Sequence, residues 1–542
     1  MKTYDALAQR LSHHGVEPLF GLMGDANMQF IARFIDGYGG RYLGSTHEAG
    51  AVAMADGFAR ASGTVGVATV THGPGTTNAM TALTEAVRAG TPLVVLTSST
   101  SASSPHHIQH IDLERLIAPT GAAFRRPAQA QDVPDELTRA LAQARAEGRP
   151  VALDVPVDFL GVEIEDTAVP ATEASEASSA VPTDLDPDLL DSALGVIASA
   201  RRPLVLAGRG AVESGAHDAI TAFADLIGAA VGTTVLARGF FAGHELDLGI
   251  VGNLAHQVGL KAVLDSDCVI AFGASLNDYT TDGGSLFEGK PVVHVDRSAD
   301  HLNRYLTTDI AVCGDAAAVA TAMTKVLVSE EIEFASSRPG LAEELRNRVP
   351  SDDFVEASGS DTVDMRSAML RLSPRLPANR AVVTDAGRFL RSVWRYVEVP
   401  QPRYSAVTHN FGSIGLGIGC ATGVSVAAPD MVTFVFVGDG GGMMSLTELN
   451  TAVRYGLPLV AVVINDGSYG AEYSKLQQYD ADPRHSLMDW PEFVDLGVAL
   501  GANAVTVRSL EDIDRLDESH WAPENLPLLI EVKTDPSVDY YA

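Results

Sequence analysis

The sequence predicts an α/β protein of three domains with parallel sheets. Three observations carry this reading: a strand-helix-strand unit near the carboxyl end, two breaks in composition, and a repeat shared by the first and last parts of the chain. Apolar residues run almost without interruption over Val432–Val437 and again over Leu459–Ile464, the pattern of strands buried on both faces. Ser445 and Glu448 between them have capping-box spacing, which predicts a helix beginning near Ser445. Gly456 fits the position just past its end, and Pro458 prevents its continuation. Strands joined through a helix lie parallel, so Gly438-Asp439-Gly440 and Asn465-Asp466 both fall at carboxyl ends.

In chain order, MKTYDALAQRLSHHGVEPLF reads as an amphipathic helix followed by a strand. It lacks the continuous apolar stretch of a signal peptide, and no apolar run reaches the length of a membrane span, so a cytoplasmic location is expected. Glu165 to Asp188 is acidic, rich in small residues and poor in large apolar ones, as an exposed linker would be. It divides an amino-terminal domain at 1–165 from a central domain at 189–335, the linker itself being 166–188. Strands are expected in the central domain at 203–208, 268–273 and 291–295. A weaker break at 336–361 precedes a carboxyl-terminal domain at 362–542. AVRAGTPLV (Ala86–Val94) and AVRYGLPLV (Ala452–Val460) agree at seven of nine positions, each ending a helix, turning through Gly and Pro and entering a strand. Reuse of a favourable turn is one reading; two related outer domains is the better one.

Composition narrows the partners. With 542 residues, 46% of them hydrophobic, the chain can bury several cores. A formal charge of -31 argues against nucleic acid or an anionic membrane, both of which are bound through clustered Lys and Arg. Cys268, Cys313 and Cys420 are odd in number and far apart, so neither a disulfide framework nor a zinc site is expected.

The stretch VFVGDGGGMMSLTELNTAVRYGLPLVAVVINDGSYG has the makings of a site for a metal bound to a phosphate. Gly440, Gly441 and Gly442 let the backbone approach an anion closely, and the expected helix start offers free N-H groups. Magnesium takes one or two carboxylates and leaves its other positions to phosphate and water, and Asp439 and Asp466 supply the carboxylates. The glycines alone would read equally well as a tight turn before a helix.

GDG followed by Asn465-Asp466 resembles the cofactor motif of thiamine diphosphate enzymes of the acetolactate synthase and pyruvate decarboxylase superfamily. The resemblance covers essentially the whole chain. It implies three doubly wound parallel-sheet domains: pyrimidine-binding, central and diphosphate-binding. It also implies magnesium held by Asp439, Asp466 and the Ser468 carbonyl, with Gly438, Gly440, Gly441 and Tyr469 around the diphosphate. Asp466 departs from the commoner Asn, which leaves open whether Asn465 contributes instead.

Alone, Glu48 in THEAGAVAMADGFAR is an acidic residue at a helix start. Its small and apolar neighbours let the helix pack closely and take it out of water. The resemblance makes it the carboxyl that hydrogen-bonds the cofactor's pyrimidine ring and activates it, on a cofactor whose diphosphate another subunit holds. A homodimer is then the smallest active unit, and a homotetramer is expected. THGPGTTN resembles the turn beside the cofactor, with His72, Gly73, Pro74 and Asn78 in it. HNFGSIGLG resembles the segment whose apolar residue wedges the cofactor into its bent shape; Ile414 is that wedge, and the Gly412 carbonyl accepts from the pyrimidine amino group. Ile414 as ordinary core is the alternative.

GPGTTN, DWPEFVDLG (489–497) and the central domain resemble the acetolactate synthase branch, which implies decarboxylation of a 2-oxo acid followed by transfer of the acyl unit to a carbonyl compound. Asp25, His106-His107 and Glu472 match positions that carry Asp, His-His and Glu in decarboxylases, so simple release of an aldehyde is the competing outcome. Singly, these residues read as a turn, a solvated loop and an exposed helix position. FAD is not expected, because GASLNDY (Gly273–Tyr279) stands where FAD-binding relatives have GARFDDR. A regulatory subunit of the same fold without turnover is a third reading, against which the retained Glu48, Asp439 and Asp466 argue.

Overall fold

The computed structural model describes residues 1–165, 186–334 and 338–540. The 166–188 linker therefore lies outside the described residues except at its end, where a helix begins at Pro187. In the second break, residues 341–346 form a short helix.

The chain divides into two compact units. The first (residues 1–179, 357–390 and 406–541) holds two six-stranded sheets. One is built from β1 (Leu19–Gly21), β2 (Tyr42–Gly44), β3 (Gly66–Thr69), β4 (Leu93–Thr97), β5 (Ala123–Arg125) and β6 (Val151–Asp154), in the order β2-β1-β3-β4-β6-β5. The second unit (residues 180–356 and 391–405) carries a sheet of β7 (Pro203–Ala207), β8 (Ala230–Thr233), β9 (Asp247–Ile250), β10 (Cys268–Phe272), β11 (Val292–Asp296) and β12 (Ile310–Cys313), ordered β12-β11-β10-β7-β8-β9. The other sheet of the first unit is β13 (Arg380–Thr384), β14 (Ser405–Val407), β15 (Val432–Gly438), β16 (Leu459–Asn465), β17 (Asn503–Val507) and β18 (Leu528–Lys533), ordered β14-β13-β15-β16-β18-β17. Strands β15 and β16 pair in parallel, Thr433 opposite Leu459, as their unbroken apolar pattern requires. The architecture is thus three doubly wound α/β domains with parallel sheets.

The first and third sheets have the same order, strand for strand, and the repeated peptides enter β4 and β16, the corresponding positions. Helix Glu48–Ser62 packs along helix Gly417–Ala427. Gly57 meets the Cys420 backbone and Gly423 the Met54 backbone so closely that any side chain there would overlap. This is why both segments are runs of Gly and Ala.

One local expectation is corrected. The helix does not start near Ser445: a helix runs Asp439–Ser445 directly from the GDG turn, and a second runs Thr447–Arg454. Ser445 ends the first, its hydroxyl donating to the Gly441 carbonyl at 3.2 Å. The triple glycine can coil at once into helix because no side chain crowds the turn, so the free N-H groups follow Asp439 immediately. Glu448 does not complete a capping box but reaches another segment, described below.

Candidate active site

Three carboxylates stand at the carboxyl ends of three adjacent strands: Asp385 after β13, Asp439 after β15 and Asp466 after β16. The chain departs from β13 to β14 on one side and β15 on the other, so this is the point of reversal at which such sheets open a crevice. Asp439 is 3% exposed. Its Oδ1 accepts from the Gly440 N-H at 2.9 Å and its Oδ2 from the Ser468 N-H at 3.1 Å. The Ser468 hydroxyl donates to Asp466 Oδ1 at 2.6 Å, so one serine bridges both carboxylates. Burial, and then the facing Asp466, push the Asp439 carboxyl up to about 7.

This arrangement fits a hard divalent cation. Two buried carboxylates repel each other until a cation lies between them, and oxygen donors are the set magnesium takes. Among the described residues no group of three or more His, Cys, Asp or Glu gathers to hold a metal, so the remaining ligands here would be carbonyl, phosphate or water oxygens. The glycines are required: a Cβ on Gly440 would lie 2.6 Å from the Tyr469 ring, and one on Gly441 2.5 Å from Asp385 Oδ2. Asn465 turns away from this crevice. Its Nδ2 donates to Glu531 at 2.7 Å and its Oδ1 accepts from Gly467 N-H at 3.0 Å.

Asp385, fully buried, accepts from Gly415 N-H at 2.7 Å and from the Thr408 hydroxyl at 3.0 Å. Burial pushes its carboxyl up to about 6. Glu85 accepts from the Asn410 side chain at 2.7 Å and the Phe411 N-H at 2.7 Å. Between these two anchors lies the loop with Gly412, at φ +82°, and half-buried Ile414, whose Cβ is 3.5 Å from where one on Gly441 would stand.

Glu48 is the first residue of its helix and is 7% exposed. His47 caps the helix by accepting from Ala49 N-H, and Asn78 Nδ2 donates to Glu48 Oε2 at 3.0 Å. Glu448 accepts from the N-H groups of Thr46 and His47, both at 3.1 Å, and from the Thr46 hydroxyl at 2.7 Å. It thereby fixes the segment leading into Glu48.

A third group forms at the reversal point of the first sheet. The His72 and His107 rings lie 5.7 Å apart, and Asp25 is close enough to act on His72 electrostatically. A Cβ on Gly73 would lie 2.5 Å from the Gln109 carbonyl, so the loop bearing His107 rests on the Gly73-Pro74 turn. Burial, then His107, lower the pKa of His72, outweighing Asp25. His106 stands exposed on the loop, and Glu472 stands exposed in the first turn of helix Gly470–Gln478. The structure thus brings exposed Asp25 and His107 up to buried His72, while His106 and Glu472, also exposed, are not drawn to it.

Reasoning from motifs missed Asp385, Arg388 and Glu85, and gave Glu448 a partner other than the one it has. The first was legible, since Asp385 directly follows the apolar strand AVVT and opens the turn DAG. The others act across long sequence separations that no local pattern reports.

Three family models match the chain: the thiamine pyrophosphate enzyme N-terminal TPP binding domain at 1–116, the central domain at 190–323 and the C-terminal TPP binding domain at 385–532. The chain is 28% identical over 552 residues to a probable acetolactate synthase large subunit of Methanocaldococcus jannaschii, covering 99% of this chain and 92% of that one. It is 29% identical over 522 residues to a probable 2-ketoarginine decarboxylase of Pseudomonas aeruginosa, covering 94% and 90%. The solved structure of a thiamine diphosphate-dependent 4-hydroxybenzoylformate decarboxylase from Rhodococcus jostii RHA1 shares the fold with a TM-score of 0.81 at 21% identity, over 99% of each chain. On these matches and this architecture, the chain belongs to the thiamine diphosphate-dependent enzymes of the acetolactate synthase and pyruvate decarboxylase superfamily.

Proposed function

We propose that this enzyme decarboxylates a 2-oxo acid and transfers the acyl unit to a carbonyl acceptor, with magnesium held by Asp439, Asp466 and the Ser468 carbonyl. Thiamine diphosphate, when bound, would supply a nucleophilic carbon for the 2-oxo group and a positively charged ring to take up the electron pair left behind by departing carbon dioxide. Glu48, withdrawn from water and held by Asn78, is positioned to exchange a proton with the pyrimidine ring. Gly440 and Gly441 admit the diphosphate close to the backbone, and the anchored Ile414 loop shapes the cofactor.

The observation that carries the transfer reading is the state of His72. Ala26 N-H points at the Thr71 hydroxyl oxygen at 3.4 Å, and that hydroxyl lies 3.0 Å from His72 Nδ1. With that hydroxyl donating to Nδ1, the neutral ring would carry its own proton on Nε2. With its pKa lowered, His72 stays neutral at pH 7, a hydrogen-bond donor to a substrate oxygen rather than a strong acid. Such a group orients a carbonyl acceptor. The gathered His107 and Asp25 favour the second reading, in which the acyl unit is protonated and leaves as aldehyde.

The active unit in this reading is a homodimer that assembles into a homotetramer. Exposed Met23, Met28, Ile108, Phe411 and Met444 on the site-bearing unit support burial against another copy. No helix among the described residues is long and apolar enough to cross a membrane, which accords with a cytoplasmic location.

The test is to supply the reconstituted enzyme with pyruvate, phenylpyruvate or benzoylformate, with and without aldehydes or a second 2-oxo acid, and to identify products by NMR. Acyloin or acetohydroxy acid should dominate when an acceptor is present. Aldehyde as the sole product under every condition would replace transfer by simple decarboxylation.

A further inference from the structure

The departure at Asp466 sets a charge problem. Relative to Asn, it adds a negative charge beside Asp439, where a cation and a diphosphate must both be accommodated. The structure answers it with Arg388, on the turn after β13. This side chain is 3% exposed, and its Nη2 donates to Asp466 Oδ2 at 2.5 Å. Nη1 donates to the Pro536 carbonyl at 2.8 Å, and the guanidinium lies over the Tyr540 ring, 5.3 Å from its centre. Asp466 Oδ1 meanwhile takes the Ser468 hydroxyl. Arginine is suited to this because its charge persists on burial, and a second N-H group, bonded to the Pro536 carbonyl, holds in place the guanidinium that meets Oδ2.

We propose that Arg388 is a positioning residue that cancels the charge of Asp466 and aims its carboxylate, so that the Arg388-Asp466 pair serves as one neutral ligand unit. The formal charge of Asp439, Asp466 and Arg388 together is then that of a single carboxylate, and the diphosphate meets no excess negative charge. The inference rests on reading Asp439 and Asp466 as metal ligands. Arg388 touches neither cofactor nor substrate; it acts through Asp466.

The test compares the full-length protein with Arg388→Met, Asp466→Asn, the double variant and Arg388→Lys. Two affinities are measured: Mn2+ for cofactor-free protein by electron paramagnetic resonance, and thiamine diphosphate at saturating Mg2+ by quenching of intrinsic fluorescence. Loss of an outer partner of a metal ligand typically costs about 10- to 100-fold in metal affinity or activity, and here the cost falls on the diphosphate, which meets the uncancelled charge of Asp466. Arg388→Met should weaken cofactor binding by that factor while Mn2+ binding does not fall, because two uncompensated carboxylates still attract a cation. A general collapse of the site would lower both. The double variant, with charge balance restored, should bind cofactor within about threefold of the parent, so that the two substitutions are strongly non-additive. Cofactor affinity unchanged in Arg388→Met, or a double variant as weak as the product of the singles, overturns the proposal. Should Arg388→Met fail to fold, Arg388→Lys decides: retained affinity supports charge cancellation, and lost affinity overturns it. Asp439→Ala tests the underlying reading separately, since Mn2+ binding unaffected there would remove the metal site while saying nothing of Arg388.

Discussion

Replacing Glu448 by Ala probes how the segment leading into Glu48 is held. Glu448 is 2% exposed and accepts from Thr46 N-H, Thr46 hydroxyl, His47 N-H and the Thr451 hydroxyl. The two hydroxyls can rotate to other acceptors, but the two backbone N-H groups are fixed by the start of helix Glu48–Ser62. Thr46 and His47 are themselves exposed, so water can reach the freed N-H groups, and the loss is the net worth of two hydrogen bonds, about 1–3 kcal/mol. Against the roughly 5–15 kcal/mol that holds a typical domain together this is readily measured. Glu448→Gln keeps one acceptor oxygen and should cost about half as much. Urea unfolding followed by circular dichroism gives the loss by linear extrapolation, and amide hydrogen exchange at Thr46 and His47 locates it. A loss below about 0.5 kcal/mol for the alanine variant, in the range of an ordinary surface change, would show that the four contacts carry no stability and that the segment is held otherwise.

Asp439→Ala should lower thiamine diphosphate affinity at saturating Mg2+ by at least about tenfold, measured by fluorescence titration, because an octahedral site cannot easily replace a lost carboxylate. Glu48→Gln should leave the unfolding midpoint within a few degrees of the parent yet slow proton-deuterium exchange at the thiazolium carbon by about 100-fold or more, the usual worth of a positioned acid-base group. Asp385 gives a pH signature: its carboxyl is raised by burial from 3.8 to about 6, so the folded state holds that proton more tightly than the unfolded chain. Its contribution is fully present below about 3.8 and is lost as pH rises through about 6, by up to about 3 kcal/mol at 1.36 kcal/mol per unit. Asp385→Asn should therefore flatten the decline in stability between about pH 3.8 and about pH 6 in urea melts, and an unchanged slope there would assign that decline to other groups.

What the sequence made legible was whatever depends on near neighbours in the chain. The apolar runs of β15 and β16, the helix after Thr46 and the GDG and Asn-Asp turns each carry their signal within a few residues. The start of the helix after GDG was misplaced because Ser445 and Glu448 have the spacing of a cap, while the real determinant is the absence of side chains at Gly440–Gly442. Glu448 was visible as a residue but not as a partner of Thr46, some four hundred residues away. The same holds for Glu85 with Asn410 and Arg388 with Asp466. His106 and His107 are adjacent in sequence and both exposed, and only the fold shows that the second of them approaches His72.

The matching sheet orders bear on why the residues are distributed as they are. In the first sheet the chain reverses between β1 and β3, and the turns after those strands bring Asp25 and His72 together. In the third it reverses between β13 and β15, and the corresponding turns carry Asp385 with Arg388 and Asp439. One architecture thus offers two crevices, and the sequence has filled them with opposite chemistry. The first holds titratable rings and a loop resting on Gly73, suited to a reacting small molecule. The second holds paired carboxylates, a charge-balancing arginine and bare backbone, suited to anchoring a metal and a diphosphate. Glu448 and Glu85 each cross from one domain to the other: Glu448 reaches the segment before Glu48, and Glu85 the loop before Ile414. A shift of either domain would therefore move Glu48 or the Ile414 loop, so on the proposed reading the cross-domain carboxylates, rather than either crevice alone, are the features that would keep the two halves of the chemistry in register.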